Sequence, residues 1–370
     1  MKRFLILVLL SLVFSFSCSN PKTPNEVFDG AKAKVLQADR FSFKQLMLWE
    51  SPELGEIDTI AMELKLQKNR DVPLGFDFIE TRVNSAISYI DNTLGSISHE
   101  DSTITFFPDS EVANMLIYNT FLTHSPVGLL KNEPWEYFGD TVIDGKTFNE
   151  FLWVEMDTII MERKVLLNNH LFINPSNELV DFYSRRLYHD GKKSQFIDVH
   201  YSDYQFDELG EKLAYTVPPG YVSKVWGQKD PNSPQVLKRG NLAPDFELID
   251  EKGNLVKLSN FRGKKVLLDF SMINCGWCKI AIEQFNKPDY QFADNIIPLY
   301  VNPLDSKEKM DKYRSKVSIP FPILVEAEDV GKAYGVNGYP TFYLIDENGK
   351  VEDVVVGFFD EEILKWKKGD

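Results

Sequence analysis

Cys275 and Cys278 enclose Gly276 and Trp277 directly after a run of apolar residues, Val266-Leu267-Leu268-Asp269-Phe270. That run reads as a buried strand, and residues 279–285 read as the helix that follows. A thiol at a strand-to-helix junction lies beside the unpaired amides and positive dipole end of the helix, which favour its thiolate and lower its pKa. The second sulphur falls about one turn inside the helix and can resolve the mixed disulfide formed when the first attacks a substrate disulfide. The spacing therefore predicts Cys275 as nucleophile and Cys278 as resolving thiol. Half of a zinc site is another chemistry open to the motif, but about four ligands are needed. The only other cysteine is Cys18, and His99, His124, His170, His189 and His200 all precede the pair by a wide margin, so no metal is expected. A purely structural disulfide is a weaker reading, because so short a loop removes little entropy from the unfolded chain. Trp277 sits between the sulphurs, where it can tune the potential or touch a substrate; simple surface packing is the alternative.

The elements around the pair alternate as an α/β domain should. Strands are expected at 296–301, 341–345 and 351–356, an extended segment at 322–325, and helices at 306–316, 328–334 and 361–367. The upstream grammar is different. After a short amphipathic helix at 25–37, β-type runs recur at 41–49, 59–66, 76–81, 86–90 and 103–107, then at 148–154, 164–173, 179–188, 195–201 and 212–216. A helical stretch at 110–130 interrupts them. So many consecutive strands predict an antiparallel sheet or partial barrel. The breaker-rich stretch 227–240, with Asp230-Pro231-Asn232-Ser233-Pro234, marks the boundary between the two grammars.

A chain of 370 residues is long for one core, which agrees with two domains. Its net charge of −14, with no basic stripe, argues against nucleic acid as a partner. Residues 1–17 read as an export signal, with Lys2 and Arg3 ahead of an apolar run that is shorter than the roughly 20 residues a spanning helix needs. Ser15-Phe16-Ser17-Cys18 resembles the lipobox of bacterial lipoproteins, which implies lipidation of Cys18 and a mature chain anchored to a membrane; ordinary cleavage with Cys18 as a bystander is the alternative.

Residues 240–370 resemble the thioredoxin-like proteins of the TlpA and ResA type, membrane-tethered disulfide reductases of the bacterial envelope. The resemblance rests on Ala243-Pro244-Asp245-Phe246, the segment Leu258 to Lys264, the strand before the cysteines, the Cys-Gly-Trp-Cys motif, and Gly338-Tyr339-Pro340-Thr341-Phe342, all in the family's order. It implies a thioredoxin fold, a cis-proline at Pro340 and a substrate-facing backbone at Tyr339 and Thr341. Asp269 stands where thioredoxins carry a buried acid able to accept the proton of Cys278. The chain departs from the pattern at Ser271 and Asn274, where Trp is common, at Ala281, where an acid is common, and at Glu283, where Pro is usual. Peroxiredoxins share the opening motif, but their Thr three residues before the reactive cysteine is Met272 here, so a peroxidase is disfavoured.

The helix-then-strands order of residues 18–226 is similar to the Lol-type lipoprotein carriers. Aromatics such as Phe41, Phe43, Trp135 and Trp153 serve either as core or as the lining of an apolar cavity. The reading as a whole is a four-part chain: signal peptide 1–17, antiparallel β domain 18–226, linker 227–239 and thioredoxin-like domain 240–370. The expected protein is a lipid-anchored envelope enzyme facing the periplasm. Its expected partners are a disulfide-bearing exported protein and a membrane electron-donor protein, with no bound cofactor because no nicotinamide or flavin fingerprint is present. The direction of electron flow stays open between reductase and oxidase. The other class is a lipid- or hydrophobic-peptide-binding lipoprotein with a repurposed thioredoxin-like domain.

Overall fold

The computed structural model describes residues 21–117, 119–131, 134–160, 163–207, 212–214, 217–228 and 235–368. The expected leader, Cys18 and the Asp230–Pro234 part of the linker lie outside the described residues. The described chain divides into two compact units: Ile60–Ser223 with the residues up to Met47, and Lys224 onward with Leu48–Thr59.

The first unit is sheet-rich. In chain order its elements, with the end of β1, the start of β2 and the end of β12 running into the other unit, are α1 (Pro24–Leu36), β1 (Arg40–Ser51), β2 (Glu56–Lys68), β3 (Phe76–Thr81), β4 (Ser85–Ile90), β5 (Thr93–Ser98), β6 (Thr103–Phe106), α2 (Asp109–Ile117), α3 (Thr120–Thr123), α4 (Pro126–Lys131), β7 (Glu136–Ile143), β8 (Lys146–Ile160), β9 (Arg163–Asn174), β10 (Leu179–His189), β11 (Lys192–Phe206) and β12 (Val222–Val225). The strands lie in the order β12-β6-β5-β4-β3-β2-β1-β11-β10-β9-β8-β7, so that the first strand neighbours the last long one. A capping box starts α1: the Thr23 hydroxyl accepts the Glu26 N–H, and the Glu26 carboxylate accepts the Thr23 N–H at 2.7 Å. Val27, Ala31 and Val35, spaced four apart, form its buried stripe against β9, β10 and α4.

Three features of this unit depart from the sequence expectation. The helical stretch 110–130 is three short helices, because Asn119 turns the chain by accepting the N–H groups of Phe121 and Leu122, and Pro126 opens α4. β5, β7 and β12 were not expected: Gly95 with Ser96 and Ser98 dilutes the strand signal of β5, β7 is an edge strand whose residues are mostly exposed, and β12 is a four-residue edge strand exposed throughout. The strand expected at 212–216 is absent from residues 212–214, and 215–216 lie outside the described residues.

The second unit contains β13 (Glu247–Ile249), β14 (Leu255–Lys257), β15 (Lys265–Phe270), α5 (Gly276–Phe285), β16 (Ile296–Val301), α6 (Lys307–Arg314), β17 (Ile323–Leu324), α7 (Glu328–Ala333), β18 (Thr341–Ile345), β19 (Val351–Val356) and α8 (Asp360–Leu364). β13 and β14 form a separate two-stranded hairpin that the sequence reading did not anticipate. The five-stranded sheet runs β17-β16-β15-β18-β19, parallel between β15, β16 and β17 and antiparallel between β15, β18 and β19.

β15 is central, and its two faces meet different cores. Val266, Leu268 and Phe270 pack with Phe246, Leu258, Ala327 and Tyr334. Leu267 packs on the other face with Ala281, Ile282 and Phe285 of α5 and with Met310 and Tyr313 of α6. Alternation along the strand puts Asp269 on that second face, beneath α5. Burying the four apolar side chains of β15 contributes roughly 2 kcal/mol each. That total exceeds the cost of placing one carboxyl group among them, so the strand forms despite Asp269.

Candidate thiol–disulfide site

The chain leaves β15 through Ser271, Met272, Ile273 and Asn274, and that passage is held on several sides. Ile273 is buried, and its N–H donates to Asp305 Oδ2 at 2.8 Å. Asp305 is fixed in turn by Asn302, whose Nδ2 donates to the same oxygen at 3.0 Å and whose Oδ1 accepts the N–H groups of Leu304 and Asp305. Asn274 takes a left-handed backbone with φ of 61°, a conformation that asparagine adopts more readily than most residues.

Cys275 follows as the N-cap of α5, and its Sγ accepts the Cys278 N–H at 3.1 Å. The helix thus begins at Gly276, three residues before the start expected from sequence, because the sulphur itself fills the capping role that a Ser or Asp oxygen usually takes. Cys275 and Cys278 are joined as a disulfide with Cα atoms 5.2 Å apart. The two sulphurs differ in access: Cys278 is fully buried, whereas Cys275 is only partly so. Trp277 is 60% exposed, with one face stacked on Phe358 at 6.2 Å.

Below the pair, Asp269 is fully buried. Its Oδ1 accepts the Ser271 hydroxyl at 2.5 Å, and its Oδ2 has no partner among the described residues. Burial pushes the Asp269 carboxyl up to about 7, against the smaller opposing effect of the Ser271 hydrogen bond. Tyr300 lies opposite Asp269 in the β15–β16 register, and its hydroxyl is likewise buried without a partner among the described residues. The Tyr339–Pro340 bond is cis. Thr341 pairs with Phe270 in the β15–β18 register, which sets the Tyr339-Pro340 turn at the end of β15 from which the cysteine loop departs. Thr341 is fully buried and its hydroxyl donates to the Gly338 carbonyl at 2.7 Å, while Tyr339 is partly exposed.

The structure thus places Asp269, Cys275, Cys278, Trp277, Tyr339, Pro340 and Thr341 in one unit around one end of one sheet. Cys18 lies outside the described residues. Sequence reasoning missed Asn302 and Asp305, although Asn-Pro-Leu-Asp directly after a strand is a turn signal. It also missed Tyr300 and the segment Leu48–Thr59, for which no local signal exists.

A central β15 flanked by parallel β16 and antiparallel β18, with a Cys-x-x-Cys disulfide capping the helix after β15, defines a thioredoxin-like domain. Residues 239–354 match the AhpC/TSA family. Among curated proteins, thiol-disulfide oxidoreductase ResA of Geobacillus thermodenitrificans is 36% identical over 129 residues, covering 34% of this chain and 74% of that protein. Thioredoxin-like protein YneN of Bacillus subtilis is 32% identical over 135 residues, covering 35% of this chain and 79% of that protein. Among solved structures, a putative thiol:disulfide interchange protein DsbE from Chlorobium tepidum aligns with 33% identity over 34% of this chain and 91% of its own, at a TM-score of 0.30. The chain belongs to the family of ResA-type thiol-disulfide oxidoreductases.

Proposed function

We propose that the protein reduces disulfides of exported proteins in the cell envelope, with Cys275 and Cys278 as its redox pair. The observation that carries this reading is the unequal setting of the sulphurs: partly accessible Cys275 at the N-cap of α5, accepting an amide hydrogen bond, and buried Cys278 one turn on. A membrane electron-donor protein first reduces the Cys275–Cys278 disulfide to a dithiol, its own dithiol becoming a disulfide. The Cys275 thiolate then attacks a substrate disulfide; a mixed disulfide forms and one substrate sulphur leaves as thiolate. Asp269, held near neutrality by burial, accepts the Cys278 proton, and the Cys278 thiolate attacks Cys275 Sγ. The intramolecular disulfide reforms, and the substrate departs carrying two electrons and both protons as a dithiol.

In this scheme Trp277 and Tyr339 line the substrate path beside Pro340, and Thr341 fixes the Tyr339-Pro340 turn through its bond to Gly338. The rest of the chain fits the same location: residues 1–17 as a leader, Cys18 as the lipidated residue, residues 18–226 as a curved β domain of the Lol-carrier kind, 227–239 as linker and 240–370 as the redox domain. The test is reduction of insulin by the full chain recycled with dithiothreitol, beside Cys275→Ser. The reading expects turnover above background that the substitution abolishes. Equal rates for the two proteins would leave the lipid- or peptide-binding alternative in front.

A further inference from the structure

The segment Leu48–Thr59 belongs to the same compact unit as the cysteines, although more than 200 residues of chain separate them. Leu54 packs against the apolar core that includes Ile282, Phe285 and Tyr313. Polar contacts then fix the segment in place: Lys316 Nζ donates to the Pro52 carbonyl at 3.1 Å and Lys312 Nζ to Glu56 at 2.6 Å. Two further contacts fall on either side of the reactive sulphur. The buried Ser51 hydroxyl donates to Asn274 Oδ1 at 3.3 Å, one residue before Cys275. Lys279 Nζ donates to Glu53 Oε1 at 2.8 Å, and the Lys279 N–H donates to the Cys275 carbonyl, one helical turn beyond it.

We propose that Ser51 and Glu53 are positioning residues of the thiol–disulfide site: Ser51 holds Asn274, and the Glu53 carboxylate both anchors Lys279 and offsets its charge, limiting how far the Cys275 thiolate is stabilised. The inference rests on the proposed redox role of the pair. Its physical basis is that a cation one turn from a cysteine lowers the thiol pKa, whereas a carboxylate paired with that cation cancels much of its field. Burial acts to raise the Glu53 pKa, but the hydrogen bond and charge of Lys279, with Lys316 beyond, hold it below the usual carboxylate value, so the Glu53 carboxylate is charged at neutral pH. With side chains 21% and 42% exposed, Glu53 and Lys279 are less screened than a fully exposed surface pair. The other ionisable groups facing this region include Asp269 on β15, Glu283 on α5, Tyr300 on β16, Asp305 after it, Tyr313 on α6, Lys316 after α6 and Tyr339 before β18.

The test is the pKa of Cys275 in the reduced full chain, read from thiolate absorbance, together with its exchange equilibrium against glutathione. Glu53→Gln is expected to raise the thiolate fraction about threefold at a pH below the pKa. At a pH above the pKa, where the reduced form is thiolate, the same change stabilises that form and makes the pair more oxidising by about 14 mV, threefold in the equilibrium constant. Lys279→Gln is expected to shift both quantities the opposite way, and because the two fields add, the Glu53→Gln, Lys279→Gln double variant should lie near the unsubstituted chain. Glu56→Gln, on the same segment, which removes one of the two carboxylates paired with Lys312 of α6, should shift neither. No shift in Glu53→Gln, a double variant that departs from the unsubstituted chain as far as Lys279→Gln does, or an equal shift in Glu56→Gln overturns the proposal. If Glu53→Gln does not fold, Lys279→Gln alone decides it, and an unchanged Cys275 pKa there overturns it. A wild-type chain that shows no thiol–disulfide equilibrium at all overturns the redox reading itself, before any variant is compared.

Discussion

Asp269 and Tyr300 face each other across β15 and β16, and each carries one buried oxygen that no described residue partners. This polar pair lies on the sheet face covered by the helix that starts at the disulfide, inside a core otherwise built from Leu267, Ile282, Phe285 and Phe342. Polar atoms left unpaired there cost stability, so their placement links the redox chemistry to measurable thermodynamics.

Asp269 makes stability fall as pH rises. Its folded pKa of about 7 lies above the ordinary value of 3.8, so between those limits the folded chain holds a proton that the unfolded chain releases. The penalty is absent below about pH 4 and complete above about pH 7, reaching roughly 4 kcal/mol if the full shift is realised. Asp269→Asn should flatten the change in Tm between pH 5 and 8 and slow disulfide exchange at least about tenfold. Unchanged pH dependence of Tm would show that Asp269 is ionised alike in both states.

Tyr300→Phe removes a buried hydroxyl that lacks a protein partner while keeping the ring packed. It should raise stability by about 1 kcal/mol in urea denaturation of the oxidised chain. A loss of similar size would show that the hydroxyl is satisfied by bound water.

Trp277→Ala removes an exposed ring whose one ring contact of note is its stack on Phe358. The loss in stability should stay within about 1.5 kcal/mol. Turnover of glutathione disulfide should hold while KM for a protein disulfide rises several-fold. Equal effects on both substrates would assign Trp277 to tuning the potential rather than to contact.

The two cysteines should separate cleanly by substitution. Cys278→Ser leaves a partly accessible Cys275 that accumulates a mixed disulfide with a protein substrate. Cys275→Ser leaves a buried thiol that alkylates at least about 100-fold more slowly than Cys275 does in Cys278→Ser. The reverse order of reactivity would exchange the roles of the sulphurs.

What could be read from the sequence was local. Val266 to Phe270 is a continuous apolar run, and the cysteine spacing after it has few chemical interpretations, so the strand, the helix and the disulfide between them were legible together. The helix start was not, because a cysteine filling the N-cap position leaves no Ser, Thr, Asp or Asn to mark it. β7 escaped notice because an edge strand with exposed residues and Gly139 lacks the alternation that a half-buried strand shows. The Glu53–Lys279 pair spans 226 positions, and no propensity or periodicity acts over that separation. Ser51 and Glu53 fall between the strands expected at 41–49 and 59–66, where the sequence assigns them no role.

The most direct test of the account is a redox titration of the full chain in glutathione buffers, with the Cys275 and Cys278 thiols trapped by alkylation at each poise. The account predicts one two-electron transition involving both cysteines, at a potential within the range of about −270 to −120 mV spanned by thioredoxin-like proteins, and lost in Cys275→Ser. Nearness to the first limit supports the reductase direction, nearness to the second the oxidase direction. Cysteines that stay wholly reduced or wholly oxidised across that range would contradict a redox role for the pair.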